Sequence, residues 1–372
     1  STSVPTVKTP ERQLNETQLL DVGIVIFDPG LEDLDEDEAQ YPEVRKAEAR
    51  YMPYILREAV ESSSAWGAVR VVPDDNQAMD VIVKGTILKS DGEEIKLRIH
   101  ALDASGAVWL SNDYTSKASK YSYQRTTRAR LDPFQAVYNR IANDLLKQQQ
   151  EFTPEELAQI RLVNELRFAR SFSPDAFEGH LSADKKGRYT IQRLPADDDP
   201  MLERVRKIRE RDYLFVDTLQ EYYASFNGQM AGPYQEWRKQ SYEETVALRE
   251  LQAESTRRLI AGVASIVAGV AAASSGDQST RAAGNVALAG GGYLIKSGLD
   301  QRSEVEIHVQ ALEELSMSLE SEIAPQVIEL EDQTITLTGS VQDQYQQLRE
   351  LLRQIFEAEV GSLAPAPQGG ET

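Results

Sequence analysis

Histidine and cysteine, the side chains that most often perform acid–base, nucleophilic or metal chemistry, are scarce in this chain. It has three histidines, His100, His180 and His308, and no cysteine. The histidines lie far apart in the sequence and lack metal-ligand spacing. Without cysteine, the chain cannot form a disulfide, a thiolate nucleophile or a zinc–thiolate site. We therefore expect ordinary solvated or hydrogen-bonded histidines, with neither a metal nor another cofactor.

The glycine-rich run at residues 290–297, GGGYLIKS, has the outline of a phosphate-binding loop. Ile295 occupies the position where the Walker pattern requires glycine, so the motif is broken. No serine stands in a G-x-S-x-G motif. Asp and Glu number 60, too many for a catalytic carboxylate pair to be chosen from sequence. These patterns predict a protein that is not an enzyme, and a hydrolase with dispersed carboxylates is the least favoured alternative.

Acidic side chains dominate the charge of this 372-residue chain, whose formal net charge is -20. Such a balance repels the phosphate backbone, so we expect no nucleic-acid partner. It also argues against binding to an anionic membrane surface through charge.

The stretch from Glu254 to Asp300 differs from the rest of the chain. Two apolar runs, Leu259–Ala273 and Ala282–Ile295, flank a polar turn. Small residues recur at every fourth position in both runs, which places them on one face of a helix and allows a second backbone to approach closely. The sequence therefore predicts a helical hairpin over residues 257–298 with a face for assembly. The members of this face are Ala261, Ser265, Gly269, Ala273, Gly284, Ala287, Gly291 and Gly292.

Two interpretations of this hairpin remain open. Each run is shorter than the roughly 20 apolar residues of a lone membrane-spanning helix. The hairpin can therefore be buried in a soluble fold or form a close-packed subunit contact. Alternatively it inserts into, or lies on, a bilayer as one copy in an oligomer. Periodicity alone does not separate buried from lipid-facing helices.

Aromatic residues are crowded in a predicted helix at Met201–Gly228. Such a cluster could bind a peptide or a cell-wall glycan, whereas packing in a core or between subunits is the alternative role. Its members are Tyr213, Phe215, Tyr222, Tyr223 and Phe226.

Hydrophobic periodicity predicts an α+β fold: an N-terminal mixed sheet with helices on one face, followed by a mainly α-helical domain that contains the Gly/Ala-rich hairpin. A strand, a helix, a strand, a three-strand meander and a second helix follow one another up to residue 150. Helices are predicted at Met201–Gly228 and Tyr234–Thr256, separated by Gly232-Pro233. The expected divisions are a flexible tether (1–16), an α+β domain (17–150), a helical domain (151–324), a strand–helix piece (325–360) and a disordered tail (361–372).

The residues of the meander resemble a known group of periplasmic domains. An apolar strand with glycine at Val81–Gly85 is followed by Leu102-Asp103, Gly106 and Val108-Trp109. This pattern resembles the curli-secretion lipoprotein CsgG, the flagellar lipoprotein FlgO and the TolB N-terminal domain over residues 15–150. The resemblance implies an envelope protein that assembles with its own copies or with other envelope proteins, and carries over no catalytic residue.

A second, shorter resemblance lies near the end of the chain. The strand–glycine–helix piece at residues 334–358 is similar to one half of the BON modules of bacterial envelope lipoproteins. The polar stretch at residues 1–16, which begins without methionine, resembles the tether after a lipidated cysteine, so we expect that an upstream segment was removed.

Together these patterns predict a non-enzymatic assembly lipoprotein of the Gram-negative envelope, located in the periplasm at the outer membrane. It would form a homo-oligomer through the small-residue hairpin, with membrane contact left open. The alternatives are an oligomeric pore or translocation channel, and a soluble periplasmic module that binds a peptide or a glycan.

Overall fold

The computed structural model of the chain describes residues 4–33, 41–75, 79–123, 131–272, 309–315, 317, 326–330 and 333–361; for residues 248, 251, 252, 254–272, 326–330 and 333 only the backbone is described. The strands are β1 (Val22–Val25), β2 (Val69–Val72), β3 (Val81–Ser90), β4 (Glu94–Asp103), β5 (Val108–Lys117), β6 (Leu181–Ala183), β7 (Tyr189–Ile191), β8 (Gln326–Leu330) and β9 (Gln333–Leu337). The helices are α1 (Pro42–Ser62), α2 (Gln135–Gln150), α3 (Pro154–Phe172), α4 (Pro174–Phe177), α5 (Pro200–Ala272), α6 (residues 309–315) and α7 (Val341–Gly361).

A five-stranded mixed sheet in the order β2-β1-β3-β4-β5 forms the N-terminal part of the fold. β1 pairs in parallel with both β2 and β3, and α1 forms the crossover between β1 and β2. β3, β4 and β5 form the antiparallel meander that the turn signals predict. The predicted α+β class, with a mixed sheet and a largely helical C-terminal region, is therefore confirmed.

The two faces of the sheet have different surroundings. Tyr114 lies on the face that carries Val81 and Leu97, and its hydroxyl donates to Asp144 of α2 at 2.7 Å. α1 packs beside α2 over this same apolar face. On the other face, Arg98 pairs with Asp113 at the surface near β5. One face is thus covered by helices, as predicted, whereas the other face reaches the surface along the meander.

The other face is not open along its whole width. Arg70 of β2 points to this side and binds Asp217 of α5, with Nε to Oδ1 at 2.6 Å. Ile82 of β3 lies on the same side and faces α3 and α7 across a cavity. Helices that follow the sheet in the sequence therefore also cover part of this face, next to β2 and β3.

The helix α5 is continuous over 73 residues, about 110 Å along its axis. The predicted break at Gly232-Pro233 is wrong, because Pro233 lies inside the helix. Proline in a helix interior costs about 3 kcal/mol. Met230, Tyr234 and Trp237, on either side of the proline, are buried, and their packing offsets that cost.

The outer edge of β2 is covered by a side chain of α5. The Gln220 amide donates from Nε2 to the Val71 carbonyl at 2.9 Å and accepts from the Val71 N–H at 2.8 Å. Arg57 of α1 donates to the next outward carbonyl, that of Val69, at 3.0 Å. These contacts satisfy backbone groups that would otherwise offer an edge for pairing with another chain.

Replacing Gln220 with alanine should lower the free energy of unfolding by about 1–3 kcal/mol, because both polar groups of Val71 lose their partner. Urea unfolding measures the change. Gln229→Ala is the matched control, because Gln229 is exposed on the same helix and, among the described residues, bonds only Ser225. An equal change in the two variants would contradict the edge-covering role.

The N-terminal segment differs from the expected flexible tether. The backbone of residues 5–11 lies along α2, where amide side chains one turn apart bind it. Asn139 donates to the Pro5 carbonyl at 2.8 Å, and Asn143 accepts from the Lys8 N–H at 2.8 Å. The segment is fixed because these amides supply the partners that an extended backbone needs.

The helical part does not form a separate core. Buried side chains of α3, of α5 as far as Trp237, and of α7 belong to the same hydrophobic cluster as the sheet. Phe215 of α5 stacks on Tyr345 of α7 with ring centroids 5.9 Å apart. The expected boundary after residue 150 therefore marks a change of secondary structure, not a division between two cores.

Candidate functional site

Part of the predicted assembly face lies on α5. Ala261, Ser265 and Gly269 fall in its last turns and, being four residues apart, share one face of the helix. The remaining members, Ala273, Gly284, Ala287, Gly291 and Gly292, lie outside the described residues. In the part of the chain that is described, no helix combines the length and apolarity that crossing a membrane requires.

The aromatic cluster serves mainly to attach α5. Phe215, Tyr223 and Phe226 are buried, with 3 %, 3 % and 4 % of their surface exposed. The half-buried Tyr213 lies against Arg70 at 4.7 Å and accepts a hydrogen bond from Arg209. Tyr222 is half-buried against the core. The packing role is therefore the one that the geometry of this cluster supports.

Where α5 crosses the turn between β3 and β4, its backbone lies directly on Gly92. A Cβ at this position would lie 2.3 Å from the Arg238 carbonyl oxygen, and the glycine has a φ of +78°. Only glycine permits both the turn conformation and this close approach. Just beyond, the Thr245 hydroxyl donates to the Asp91 carbonyl at 3.2 Å.

A buried carboxylate joins α1 to α5. Glu48 is 1 % exposed and accepts hydrogen bonds at 2.6 Å from the hydroxyls of Tyr234 and Ser90. Arg45 lies 3.5 Å from its second oxygen. Burial raises the pKa of Glu48, and Arg45 with the two hydroxyls opposes that rise. The carboxyl group therefore favours its neutral form more than an exposed glutamate does.

The raised pKa of Glu48 has a defined consequence for stability. The folded state holds the proton of Glu48 more tightly than the unfolded state, in which the pKa of this carboxyl group is near 4.5. The resulting stability is present below pH 4.5 and is lost as pH rises through the folded pKa. We expect the unfolding free energy of Glu48→Gln to decline less than that of the unmodified protein between pH 4.5 and 7. Parallel curves from denaturant titrations would contradict this.

A buried ion pair lies beside Glu48. Arg238 of α5 donates from Nη1 and Nη2 to the two carboxylate oxygens of Asp132, at 3.2 and 3.0 Å. Both side chains are almost completely buried, and the guanidinium lies 4.1 Å from the centroid of the Tyr234 ring. Because Asp132 lies just before α2, this bidentate contact fixes the rotation of α5 relative to the start of α2.

Two of the three histidines lie among the described residues. His180 is buried, and its Nδ1 lies 2.8 Å from the Arg193 carbonyl oxygen. His100 is half-buried on β4, and His308 lies outside the described residues. Among the side chains that are described, no three histidines and carboxylates are grouped closely enough to hold a metal ion.

A cavity of about 700 Å³ lies between the sheet, α3 and α7, and is called here the α3–α7 cavity. Ile82 and Lys84 of β3 line one wall. Each of the two helices contributes aromatic rings and arginines to the other walls. These side chains are Arg167, Phe168, Phe172, Tyr345, Arg349 and Arg353.

Two of the four cations that line the α3–α7 cavity pair with a carboxylate. Lys84 pairs with Asp75, and Arg353 pairs with Glu350 at 2.7 Å. Arg349 donates to the Tyr345 hydroxyl at 3.2 Å and lies over Phe172. Arg167 differs, because among the described residues it binds one carbonyl and one aromatic ring. It donates to the Ala104 carbonyl at 2.8 Å and lies 4.4 Å from the Tyr189 ring centroid.

Comparisons with known proteins do not assign the chain to a family. No protein-family model matches it, and no curated protein matches it. A solved structure of a PelC dodecamer from Paraburkholderia phytofirmans is similar over 39 % of this chain and 94 % of that chain. The identity is 16 % and the TM-score is 0.23, so this likeness carries no argument about the function.

Proposed function

We propose that this protein is a non-enzymatic assembly protein of the Gram-negative envelope, and that it self-associates through the distal part of α5 at or in the outer membrane. The observation that carries the proposal is the length of α5 beyond its attachment to the sheet. Near the attachment, Thr245 and Arg249 bind the β3–β4 turn through Asp91 and Glu93. From residue 250 to 272 the helix continues for 23 residues, about 34 Å.

The distal part of α5 offers two faces for packing. Ala261, Ser265 and Gly269 follow one side of the helix, where a second backbone can come close. A rotation of about 100° per residue puts Val263 and Val267 on the opposite side. A helix that is apolar on opposite sides requires neighbours on both.

Two opposite faces favour an oligomer over a hairpin that folds only on itself. The second apolar run of the same chain can cover one face of α5 and leaves the other to a neighbouring subunit. A homo-oligomer supplies that neighbour without another gene product, and closed symmetric oligomers are the common outcome of such contacts. The envelope location rests on the resemblance of residues 15–150 to periplasmic lipoprotein domains.

Crosslinking in cells tests the proposed self-association. The chain has no cysteine, so cysteines introduced at Ala264 and Ser265 have no native cysteine partner within this protein, and products at multiples of the monomer mass report contacts between copies. We expect inter-subunit products, and none from a cysteine at Ser111, which is exposed on β5. Absence of inter-subunit products, together with full solubility without detergent, would contradict the proposal. Co-fractionation with the outer membrane tests the location.

A further inference from the structure

We infer that the α3–α7 cavity is a binding site for a small carboxylate ligand with an apolar or aromatic body. This site is separate from the distal part of α5 and does not depend on the proposed assembly. The cavity volume, about 700 Å³, lies within the range of roughly 300–1,000 Å³ that small-molecule sites occupy. Aromatic rings and a few polar groups on opposite walls are the usual composition of such sites.

Arg167 provides the recognition of the anion. Its hydrogen bond to the Ala104 carbonyl and the Tyr189 ring hold the guanidinium in place without neutralising it. In the described part of the chain, Nη1 alone has a hydrogen-bond acceptor, so Nε and Nη2 keep their donors for a ligand. Adjacent guanidinium donors match the two oxygens of a carboxylate in a bidentate contact.

The neighbouring cations explain why the anion would bind at Arg167. Lys84 and Arg353 already have Asp75 and Glu350 as partners, so an added carboxylate gains less from them. Arg167 is exposed at the mouth of the cavity and has no carboxylate partner among the described residues, so a ligand carboxylate would meet no competing ion pair there.

The apolar body of the ligand would lie against the rings of α3. Phe168 and Phe172 follow Arg167 by one and five residues, and their ring centroids are 4.8 Å apart. Tyr345 lines the facing wall on α7. A ligand that touches both helices binds only when α7 is docked on α3, so binding should also raise the temperature of unfolding.

Benzoate is the probe for this site, and benzamide is its neutral isostere. By calorimetry with the full chain, we expect benzoate to bind at least tenfold more tightly than benzamide. Arg167→Gln should weaken benzoate at least tenfold, Arg167→Lys by less, and Arg98→Gln should leave it unchanged. Arg98 is the control because it is an exposed arginine on β4, outside the cavity.

Several outcomes would overturn the inference. These are equal affinity for benzoate and benzamide, an unchanged affinity in Arg167→Gln, or displacement of benzoate by an equal concentration of phosphate. Benzoate-induced chemical-shift changes in the unmodified protein give a second measurement that needs no variant. Changes centred on Phe168, Phe172 and Tyr345 support the site, and changes confined to other regions would contradict it.

Discussion

Asp132→Ala should lower the free energy of unfolding by about 3–5 kcal/mol, the largest effect we expect from a single substitution in the folded core. The substitution leaves the Arg238 guanidinium buried without its carboxylate. It also removes the acceptor of the Tyr51 hydroxyl, which lies 3.4 Å from Oδ2. Denaturant unfolding at neutral pH measures the change.

A double-mutant cycle separates the pair from its surroundings. Asp132→Ala combined with Arg238→Met should cost less than the sum of the single changes, because no unpaired charge remains. Asp113→Ala is the control, because Asp113 pairs with Arg98 at the surface, where such pairs contribute about 0–1 kcal/mol. Similar losses for Asp132→Ala and Asp113→Ala would refute the role of this buried pair.

Ala261→Leu combined with Ser265→Leu should weaken self-association by at least about 25-fold. Each added side chain fills the space through which a neighbouring backbone approaches, and overpacking costs about 1–3 kcal/mol per site. Two sites per subunit therefore remove about 2–6 kcal/mol from the contact, where each 1.4 kcal/mol is tenfold in affinity. Sedimentation over a concentration series measures the association constant.

Ala224→Leu is the matched control for this pair of substitutions. It makes the same change on the same helix, at an exposed position within the part attached to the sheet. We expect Ala224→Leu to associate like the unmodified protein. We also expect Ala224→Leu and the doubly substituted protein to unfold at the same temperature as the unmodified protein. Unchanged association of the doubly substituted protein would contradict the role of the small-residue face in self-association.

Local signals in the sequence were sufficient for the sheet and its first helix. The turns at Ser90-Asp91-Gly92 and Asp103–Gly106 define the meander, because glycine adopts the positive φ that such hairpins need. The bounds of α1, Pro42–Ser62, follow from the sequence, since proline at its start and an apolar stripe along it agree. The capping box of Thr153 and Glu156 likewise begins α3 where its residue types indicate.

The continuity of α5 is not visible in its local sequence. Gly232-Pro233 is a strong signal for a break, and propensity is overridden only because neighbouring side chains bury themselves against the sheet. The N-terminal segment shows the same limit. Its composition suggests a tether, whereas its conformation is set by amides on α2 that lie more than 130 residues away in sequence.

The candidate binding site has no local signature at all. Arg167 belongs to α3 and Tyr345 to α7, and each reads as an ordinary helix residue on its own. Only the docking of α7 on α5, where the Tyr345 hydroxyl donates to Asp212 at 3.1 Å, brings them to one cavity. Similarly, Arg238 and Asp132 are 106 residues apart, and no pattern around either residue predicts their pairing.

The mass of the natively extracted particle, measured with and without detergent, tests self-association through α5 most directly. We predict a particle of several copies under at least one of these conditions. A detergent-dependent ring of many copies would favour the channel alternative within the same account. A monomer under both conditions, at every concentration tested, would contradict the assembly function of the distal part of α5.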